Sequence, residues 1–238
     1  VTLVEKEDRL GGILNFTKAS HHKQDIWNFK ELLVRELDRL GVDVRLNCEA
    51  TPELVRELAP HALILAVGSN DLVPPIPGIE NAIPALSTYN NNFDGLGKSV
   101  IILGGGLVGC EAGVDYADHG IQVTIVEKFE CLIPDGTGIY RTAVLDRLDE
   151  VGSVAAVNST VTEVGKDFVK VSHPDGTTEV LRADSVVNAL GRVKNTAPLG
   201  PLKNALPGIL AFEVGDCAAV GQIGDAVSAG WTAAMEIC

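Results

Sequence analysis

The 238-residue sequence has few cysteines, and they are not arranged so that they could act together. There are five, scattered along the chain, and no two of them form a C-x-x-C pair. An odd number of isolated cysteines gives little support to a disulfide framework, a zinc site or a dithiol redox motif. We therefore expect no metal site and a reducing, cytoplasmic compartment.

Long apolar runs and an excess of positive charge are also missing. The longest apolar runs, such as residues 62–67, are far shorter than the roughly 20 residues that a membrane span needs. Lys and Arg number 19 against 32 Asp and Glu, which gives a net charge of −13. The short apolar runs predict no membrane span. Because an acidic chain repels phosphate backbones, the net charge predicts no nucleic-acid partner.

What the sequence does contain is enough apolar material for one large domain or two small ones. Hydrophobic residues make up 46% of the chain, which excludes a disordered protein. The 25 glycines and 11 prolines have no regular period, which excludes a collagen-like chain.

Strand and helix patterns alternate along the chain, as in a doubly wound α/β sheet. The predicted strands are residues 1–5, 42–46, 62–67, 99–103, 121–127, 185–190 and 209–212, with shorter pieces between residues 154 and 181. The predicted helices are residues 26–40, with Asp25 as the N-cap, and residues 107–119, 142–148 and 225–237. A short helix is predicted to open with Thr51 as its cap and Pro52 at its first position. Asp175-Gly176 predicts a hairpin turn.

The strongest motif consists of six consecutive residues, Gly104, Gly105, Gly106, Leu107, Val108 and Gly109. It follows an apolar strand and opens a helix. Gly104 would make the tight turn, Gly106 would let the backbone approach a pyrophosphate, and Gly109 would allow close packing of the helix. The backbone N–H groups at the start of the helix, at Leu107 and Val108, would face the phosphate charge.

The strand after this helix ends at Glu127, 18 positions beyond Gly109 and close to the expected spacing of about 20 for a ribose-binding acid. A carboxylate there can accept hydrogen bonds from the ribose hydroxyls and would repel a 2′-phosphate. The motif therefore predicts an NAD(H) site. A glycine-rich turn without a ligand is the alternative interpretation.

The first residues nearly repeat the end of that unit. Val1-Thr2-Leu3-Val4-Glu5-Lys6 matches Val123-Thr124-Ile125-Val126-Glu127-Lys128. If Glu127 ends one dinucleotide-binding unit, Glu5 ends another, whose phosphate loop would lie upstream of Val1. The repeat thus predicts that Val1 lies inside a first nucleotide-binding domain whose earlier part is not in this sequence. Chance similarity of two buried strands is an alternative.

Together these motifs resemble the C-terminal region, with two dinucleotide-binding domains, of one group of flavoproteins. That group comprises 2,4-dienoyl-CoA reductase, trimethylamine dehydrogenase and the Old Yellow Enzyme-like NADH:flavin oxidoreductases. Four stretches carry the resemblance: Val4-Glu5-Lys6 with Leu10-Gly11-Gly12, residues 65–69 with 74–78, residues 103–111, and residues 189–192 with Asn195 and residues 214–217. They cover nearly the whole chain.

The resemblance implies two Rossmann-like dinucleotide-binding domains on the plan of the pyridine nucleotide-disulfide oxidoreductases, the first of them truncated. Residues 1–95 and 206–238 would form the incomplete FAD-binding domain, and residues 96–205 the inserted NAD(H)-binding domain. The residues implied to bind FAD are Glu5, Gly11, Gly12, Gly215 and Asp216. Those implied to bind NADH are Gly104, Gly106, Gly109 and Glu127, while Gly68 and Gly191 would be turns where the chain crosses between the domains.

The reaction implied by the resemblance is hydride transfer from NADH to FAD. Electrons would then pass to a 4Fe-4S cluster and FMN in an N-terminal barrel that belongs to the parent protein and is missing here. No cysteine pair follows Gly12, which argues against glutathione- or thioredoxin-reductase chemistry. Hydride transfer needs positioning more than an acid or a base, so no catalytic side chain is predicted.

Because the first phosphate loop is missing, we expect this chain alone to hold FAD poorly and to be inactive. Two alternatives stay open: a nucleotide-binding or docking module without catalysis, and an electron-transfer protein similar to the glutamate synthase small subunit. A homo-oligomer is compatible with each of these interpretations.

Cys110, directly after Gly109, has two interpretations. The helix N-terminus could lower the pKa of its thiol. We favour the other interpretation, a small buried residue packed beneath the phosphate loop.

Overall fold

The computed structural model describes residues 1–19, 23–89, 93, 95–134 and 138–237. Its strands are β1 (Thr2–Val4), β2 (Asp43–Arg45), β3 (Ala62–Leu65), β4 (Ser69–Asp71), β5 (Ile83–Pro84), β6 (Ser99–Leu103), β7 (Gln122–Val126), β8 (Val154–Ala156), β9 (Thr160–Val164), β10 (Phe168–Ser172), β11 (Thr178–Arg182), β12 (Ser185–Asn188), β13 (Arg192–Lys194) and β14 (Leu210–Glu213). Its α-helices are α1 (Gln24–Arg39), α2 (Pro52–Leu58), α3 (Leu107–Asp118), α4 (Gly138–Glu150), α5 (Leu199–Lys203) and α6 (Ile223–Ile237). Short 3₁₀ helices span Gly12–Ala19, Ile79–Asn81, Ala85–Thr88 and Gly215–Cys217.

The chain forms two compact units. The first comprises Val1–Thr17, Lys23–Asn70 and Arg192–Cys238, and the second contains Asp71–Gly191. The predicted limits at 95/96 and 205/206 concern domains defined by the cofactor that they bind. Those limits stay predictions.

The second unit is built on a five-stranded sheet in the order β5-β12-β6-β7-β8, in which every neighbouring pair is parallel. Residues 100–103 of β6, at the centre of this sheet, are 0–1% exposed. Strands buried on both faces are apolar throughout, because the crossover connections of a parallel sheet place other elements over those faces. The helix α3 packs against β7 and α4. It begins at Leu107, shortly after β6 ends at Leu103.

A three-stranded antiparallel sheet, in the order β11-β10-β9, completes the second unit. Val169 and Val171 on β10 are fully buried and share one apolar cluster with Ile101 and Leu103 of the parallel sheet. The predicted turn joins β10 to β11, where Gly176 has φ of +84° and donates its N–H to the carbonyl oxygen of His173 at 2.9 Å.

The first unit contains shorter pairs of strands. β1 lies parallel to β2, β3 lies parallel to β14, and β4 pairs with β13. Its apolar cluster joins Val55 of α2, Leu65 of β3 and Leu202 of α5 to the buried Cys217. Thr51 caps α2 as predicted, since its Oγ1 accepts the N–H of Leu54 at 3.2 Å.

The prediction that Asp25 caps the first long helix is wrong. α1 begins at Gln24, and its N-cap is Lys23, whose side chain makes no capping hydrogen bond. Asp25 instead lies in the first turn, where its negative charge favours the helix through the helix dipole.

The predicted α/β fold class is confirmed, because strands that pair in parallel alternate along the chain with helices, as in a Rossmann-like protein. Among the helices of the described residues, none combines the length and the apolar character that crossing a membrane requires.

Candidate functional site

Gly104 turns the chain out of β6 in a conformation that excludes other residues. Its φ is +100°, and its N–H donates to the carbonyl oxygen of Val126 at 2.9 Å. A Cβ atom added to Gly104 would lie 2.5 Å from the carbonyl oxygen of Ala189. Both the backbone angle and the available space therefore require glycine.

Gly109 and Gly106 differ in what surrounds them. A Cβ on Gly109 would lie 2.0 Å from the carbonyl oxygen of Gly104, so glycine lets α3 pack directly on the loop. Gly106 is the N-cap of α3, and a Cβ there would meet nothing within 4 Å. Leu107 and Val108 follow as the first two helical residues and are 42% and 38% exposed. The N–H groups in this first turn lack partners within the helix and form its positive end.

Glu127, immediately after β7, is 7% exposed and accepts two backbone hydrogen bonds. Gly105 donates its N–H to Oε2 at 2.7 Å, and Phe129 donates its N–H to Oε1 at 2.9 Å. A carboxylate has about four lone-pair positions, so these bonds leave acceptor capacity for ribose hydroxyls. The motif spacing does not predict these contacts, through which Glu127 holds the glycine-rich loop.

The segment after Glu127 also contacts the loop, through residues that the motif does not identify. Ile133 donates its N–H to the carbonyl oxygen of Gly105 at 2.7 Å. Arg141 of α4 donates from Nε to the carbonyl oxygen of Ile133 and from Nη2 to that of Leu132, both at 3.0 Å. An arginine in a polar helix carries no sequence signal for such a contact.

Cys110 lies beneath the loop and is fully buried. Its Sγ donates to the carbonyl oxygen of Gly105 at 3.4 Å. Burial, with a further contribution from the negative charge of Glu127, raises the pKa of the thiol to about 12. The structure agrees with the packing interpretation and contradicts a lowered pKa.

The first unit contains a second polar cluster, centred on Asp216 in the 3₁₀ helix that follows β14. Ser69 donates its hydroxyl to Asp216 Oδ2 at 2.7 Å, and Gly221 donates its N–H to Oδ1 at 3.3 Å. Arg192 in turn donates from Nε to the Ser69 hydroxyl at 2.8 Å. Gly215, just before the aspartate, has φ of +63°. These bonds fix the orientation of the carboxylate.

Glu5, Gly11 and Gly12 follow β1 in the same unit. Glu5 accepts the N–H of Glu7 at its Oε1, at 2.9 Å. Gly11 and Gly12 have φ of +117° and +50°, and a Cβ on Gly11 would lie 2.7 Å from Cδ of Lys30. Lys30 is 6% exposed and pairs with the adjacent glutamate, a buried cation that the sequence patterns do not predict.

Positions 68 and 191 favour glycine because of their backbone angles, and not because neighbouring atoms leave no room for a side chain. Their φ values are +72° and +120°, and a Cβ on either would meet nothing within 4 Å. The carbonyl oxygen of Gly68 accepts the N–H of Asn195 at 3.1 Å, and that of Gly191 accepts the N–H of Leu72 at 2.9 Å. Their role as crossings between nucleotide domains stays a prediction.

The fold and the loop between β6 and α3 define a Rossmann-type dinucleotide-binding protein. Residues 42–233 match the pyridine nucleotide-disulphide oxidoreductase family, and the chain belongs to that family. Membership implies binding of FAD and of a nicotinamide nucleotide.

Three known proteins similar to the chain are oxidoreductases by name. It is 36% identical to the NADH oxidase of Thermoanaerobacter brockii over 246 residues, which cover 100% of this chain and 37% of that protein. The structure of a 2-naphthoyl-CoA reductase has a TM-score of 0.90 and 25% identity, covering 98% of this chain and 35% of that one. Histamine dehydrogenase from Rhizobium sp. 4-9 shares the fold, with a TM-score of 0.82 and 18% identity over 99% of this chain and 40% of that one.

The family match, the NADH oxidase and the 2-naphthoyl-CoA reductase confirm the resemblance to the NADH:flavin oxidoreductase group. The chain spans little more than a third of the length of the NADH oxidase and of the 2-naphthoyl-CoA reductase.

Proposed function

We propose that this chain is the FAD- and NADH-binding module of a flavin-dependent oxidoreductase. The observation that carries the proposal is the loop between β6 and α3. At Gly106, the N-cap of α3, the space beside the backbone is open. The preceding residue, Gly105, is held by its hydrogen bond to the Glu127 carboxylate.

The residues of this loop fit a nicotinamide dinucleotide. The space where a Cβ of Gly106 would stand is open, so nothing blocks the approach of a phosphate group to the backbone at that point. The first turn of α3, at Leu107 and Val108, would donate N–H groups to the phosphate oxygens. Glu127 would accept hydrogen bonds from the ribose hydroxyls, and its charge would disfavour a 2′-phosphate.

The first unit offers residues that fit FAD. Glu5 would bind the adenosine ribose, with Gly11 and Gly12 in the adjoining turn. Asp216 would accept a hydrogen bond from the ribityl or pyrophosphate region, and Gly215 would allow close approach. Asp216 suits this role because Ser69 orients its carboxylate. When both nucleotides are bound, NADH supplies a hydride and FAD accepts it.

For the whole protein we propose onward electron transfer to FMN and a 4Fe-4S centre in an N-terminal barrel. The support is the resemblance to the NADH:flavin oxidoreductases. The names of the relatives support the oxidoreductase class alone. The cytoplasmic location, the weak FAD binding of this chain alone and its inactivity stay predictions.

Titration calorimetry of the chain with NADH and NADPH tests the nucleotide site. We expect NADH to bind more tightly than NADPH. The Glu127→Gln variant should show a smaller difference between the two affinities, because it lacks the charge that repels the 2′-phosphate of NADPH. Tighter binding of NADPH by the unaltered chain would contradict the assignment of Glu127.

A second experiment separates catalysis from docking. The intact protein is assayed for NADH oxidation with an artificial electron acceptor. Turnover supports the oxidoreductase, whereas NADH binding without turnover supports a nucleotide-binding or docking module.

A further inference from the structure

Ile133 has a backbone conformation that its side chain disfavours. Its φ is +50°, in the left-handed region, where a β-branched residue is a genuine outlier. The residue is also 3% exposed, so it lies within packed structure and not at the tip of a loop. Such a conformation persists only where surrounding contacts hold it.

One of these contacts joins Ile133 to the glycine-rich loop. The N–H of Ile133 donates to the carbonyl oxygen of Gly105 at 2.7 Å, and the N–H of Gly105 donates to Glu127 at 2.7 Å. The side chain of Leu132 packs on the same glycine, since a Cβ added to Gly105 would lie 2.4 Å from Leu132 Cδ2. Residues 132–133 therefore contact Gly105 directly, and Gly105 in turn connects them to Glu127.

The other contact comes from α4. The Arg141 guanidinium donates to the carbonyl oxygens of Leu132 and Ile133 with two different nitrogens, both at 3.0 Å. A planar guanidinium suits this task because its donors lie in a fixed fork and can hold two acceptors at once. These bonds hold the carbonyl side of the same segment whose N–H binds the loop.

We propose that Arg141 is a positioning residue for the dinucleotide site and acts through Ile133 and Gly105. By holding Ile133 in its disfavoured conformation, it keeps the Gly105 N–H on the Glu127 carboxylate and the loop in its binding shape. The inference rests on the proposed NADH site. It adds a residue outside the glycine motif and its terminal acid.

The test compares two arginines of the same helix. Arg141→Gln removes the guanidinium that bonds to the two carbonyl oxygens. Arg147→Gln is the matched control, because Arg147 forms its ion pairs with Asp118 and Glu150. We expect Arg141→Gln to weaken NADH binding by about tenfold, the order of effect of losing one hydrogen bond made by a charged group. Arg147→Gln should bind NADH like the unaltered chain.

A second change separates positioning from general loss of stability. Ile133→Gly makes the left-handed conformation favourable, so the double variant Arg141→Gln with Ile133→Gly should recover NADH affinity. It should not recover thermal stability, because a buried side chain has been removed. If the double variant binds NADH no better than Arg141→Gln, Arg141 does not act through the conformation of Ile133.

Hydrogen exchange followed by mass spectrometry gives a readout that does not need the nucleotide. In Arg141→Gln we expect faster exchange in peptides covering residues 104–109 and 127–134, and no change there in Arg147→Gln. Unchanged exchange would overturn the inference whether or not NADH binds. Failure of the unaltered chain to bind NADH, with exchange changed as expected, would overturn the proposed function alone.

Discussion

Ser69 and Asp216 are far apart in the chain, yet the Ser69 hydroxyl donates to Asp216 Oδ2 at 2.7 Å. The same hydroxyl accepts a hydrogen bond from Arg192 Nε at 2.8 Å. One serine thus joins strand β4, strand β13 and the turn after β14. Chains of hydrogen bonds that begin and end on charged groups strengthen one another, so this link orders three segments together.

Removing the Ser69 hydroxyl tests this link. We expect Ser69→Ala to lower the free energy of unfolding by about 1–3 kcal/mol, because the hydrogen bond is made to a charged acceptor. In the intact protein it should also reduce the flavin retained on purification, since Asp216 loses its orientation. Urea unfolding and the flavin absorbance measure the two effects.

The matched change at this position is Ser69→Thr, which keeps the hydroxyl. Its flavin content should stay close to that of the unaltered protein. A Ser69→Ala protein with full flavin and full stability would show that Asp216 is oriented by its other contacts.

Gly106 and Gly109 give a second prediction, because the two glycines are required for different reasons. Gly109→Ala places a Cβ 2.0 Å from the Gly104 carbonyl oxygen, so α3 must move away from the loop. We expect a loss of about 1–3 kcal/mol of stability, as in other overpacked sites, together with loss of NADH binding.

Gly106→Ala is the matched change, since its Cβ would meet nothing within 4 Å and its φ is −70°. It should leave the melting temperature nearly unchanged and still weaken NADH binding, because the methyl group fills space that the pyrophosphate needs. Normal NADH affinity in Gly106→Ala would argue against the predicted phosphate position.

The sequence predicts much of the second unit because local patterns decide its elements. The apolar run at residues 100–103 predicts a buried strand, Gly104 predicts a tight turn, and Glu127 lies at the spacing expected after the glycine motif. Each of these signals lies within a short stretch of sequence. The parallel sheet and the N-terminus of α3 lie where those patterns place them.

The parts that could not be predicted depend on contacts between distant segments. Strands β4 and β13 have only three residues each, too few for a periodic pattern, and they form by pairing with each other. Arg141 contacts the backbone carbonyls of Leu132 and Ile133. Because every residue has a backbone carbonyl, no residue type in the sequence identifies the partner of Arg141. The buried Lys30 likewise looks like an ordinary residue on the polar face of a helix.

The buried thiol of Cys110 gives a third prediction. Its pKa of about 12 keeps it protonated at pH 8, and its side chain is inaccessible. Because the thiolate is the reactive form, iodoacetamide should modify Cys110 only after unfolding. Cys48 and Cys131 are partly exposed and should react first. Peptide mass mapping with and without urea measures the order, and early labelling of Cys110 would show that the loop opens.

Asp184 gives the last prediction, on the dependence of stability on pH. Its Oδ2 accepts the N–H groups of Lys98 and Ser99 at 2.7 and 3.0 Å, and thereby ties the start of β6 to the residue before β12. These bonds, with that from Lys98 the largest contribution, hold the pKa of the carboxyl below its ordinary value of 3.8. A pKa lowered by folding stabilises the folded chain above the unfolded value, and the contribution disappears as the pH falls through the folded value.

The unaltered chain should therefore exceed Asp184→Asn in unfolding free energy at pH 6. The difference should begin to shrink as the pH approaches 3.8 and should vanish below the lowered folded pKa. Both N–H groups donate to one oxygen, and the amide oxygen of asparagine can accept both. Because asparagine carries no charge, the variant isolates the contribution of the ionised carboxylate. Urea unfolding of both proteins between pH 3 and pH 7 measures the difference. A difference that stays constant across this range would mean that the charge of Asp184 does not stabilise the link between β6 and β12.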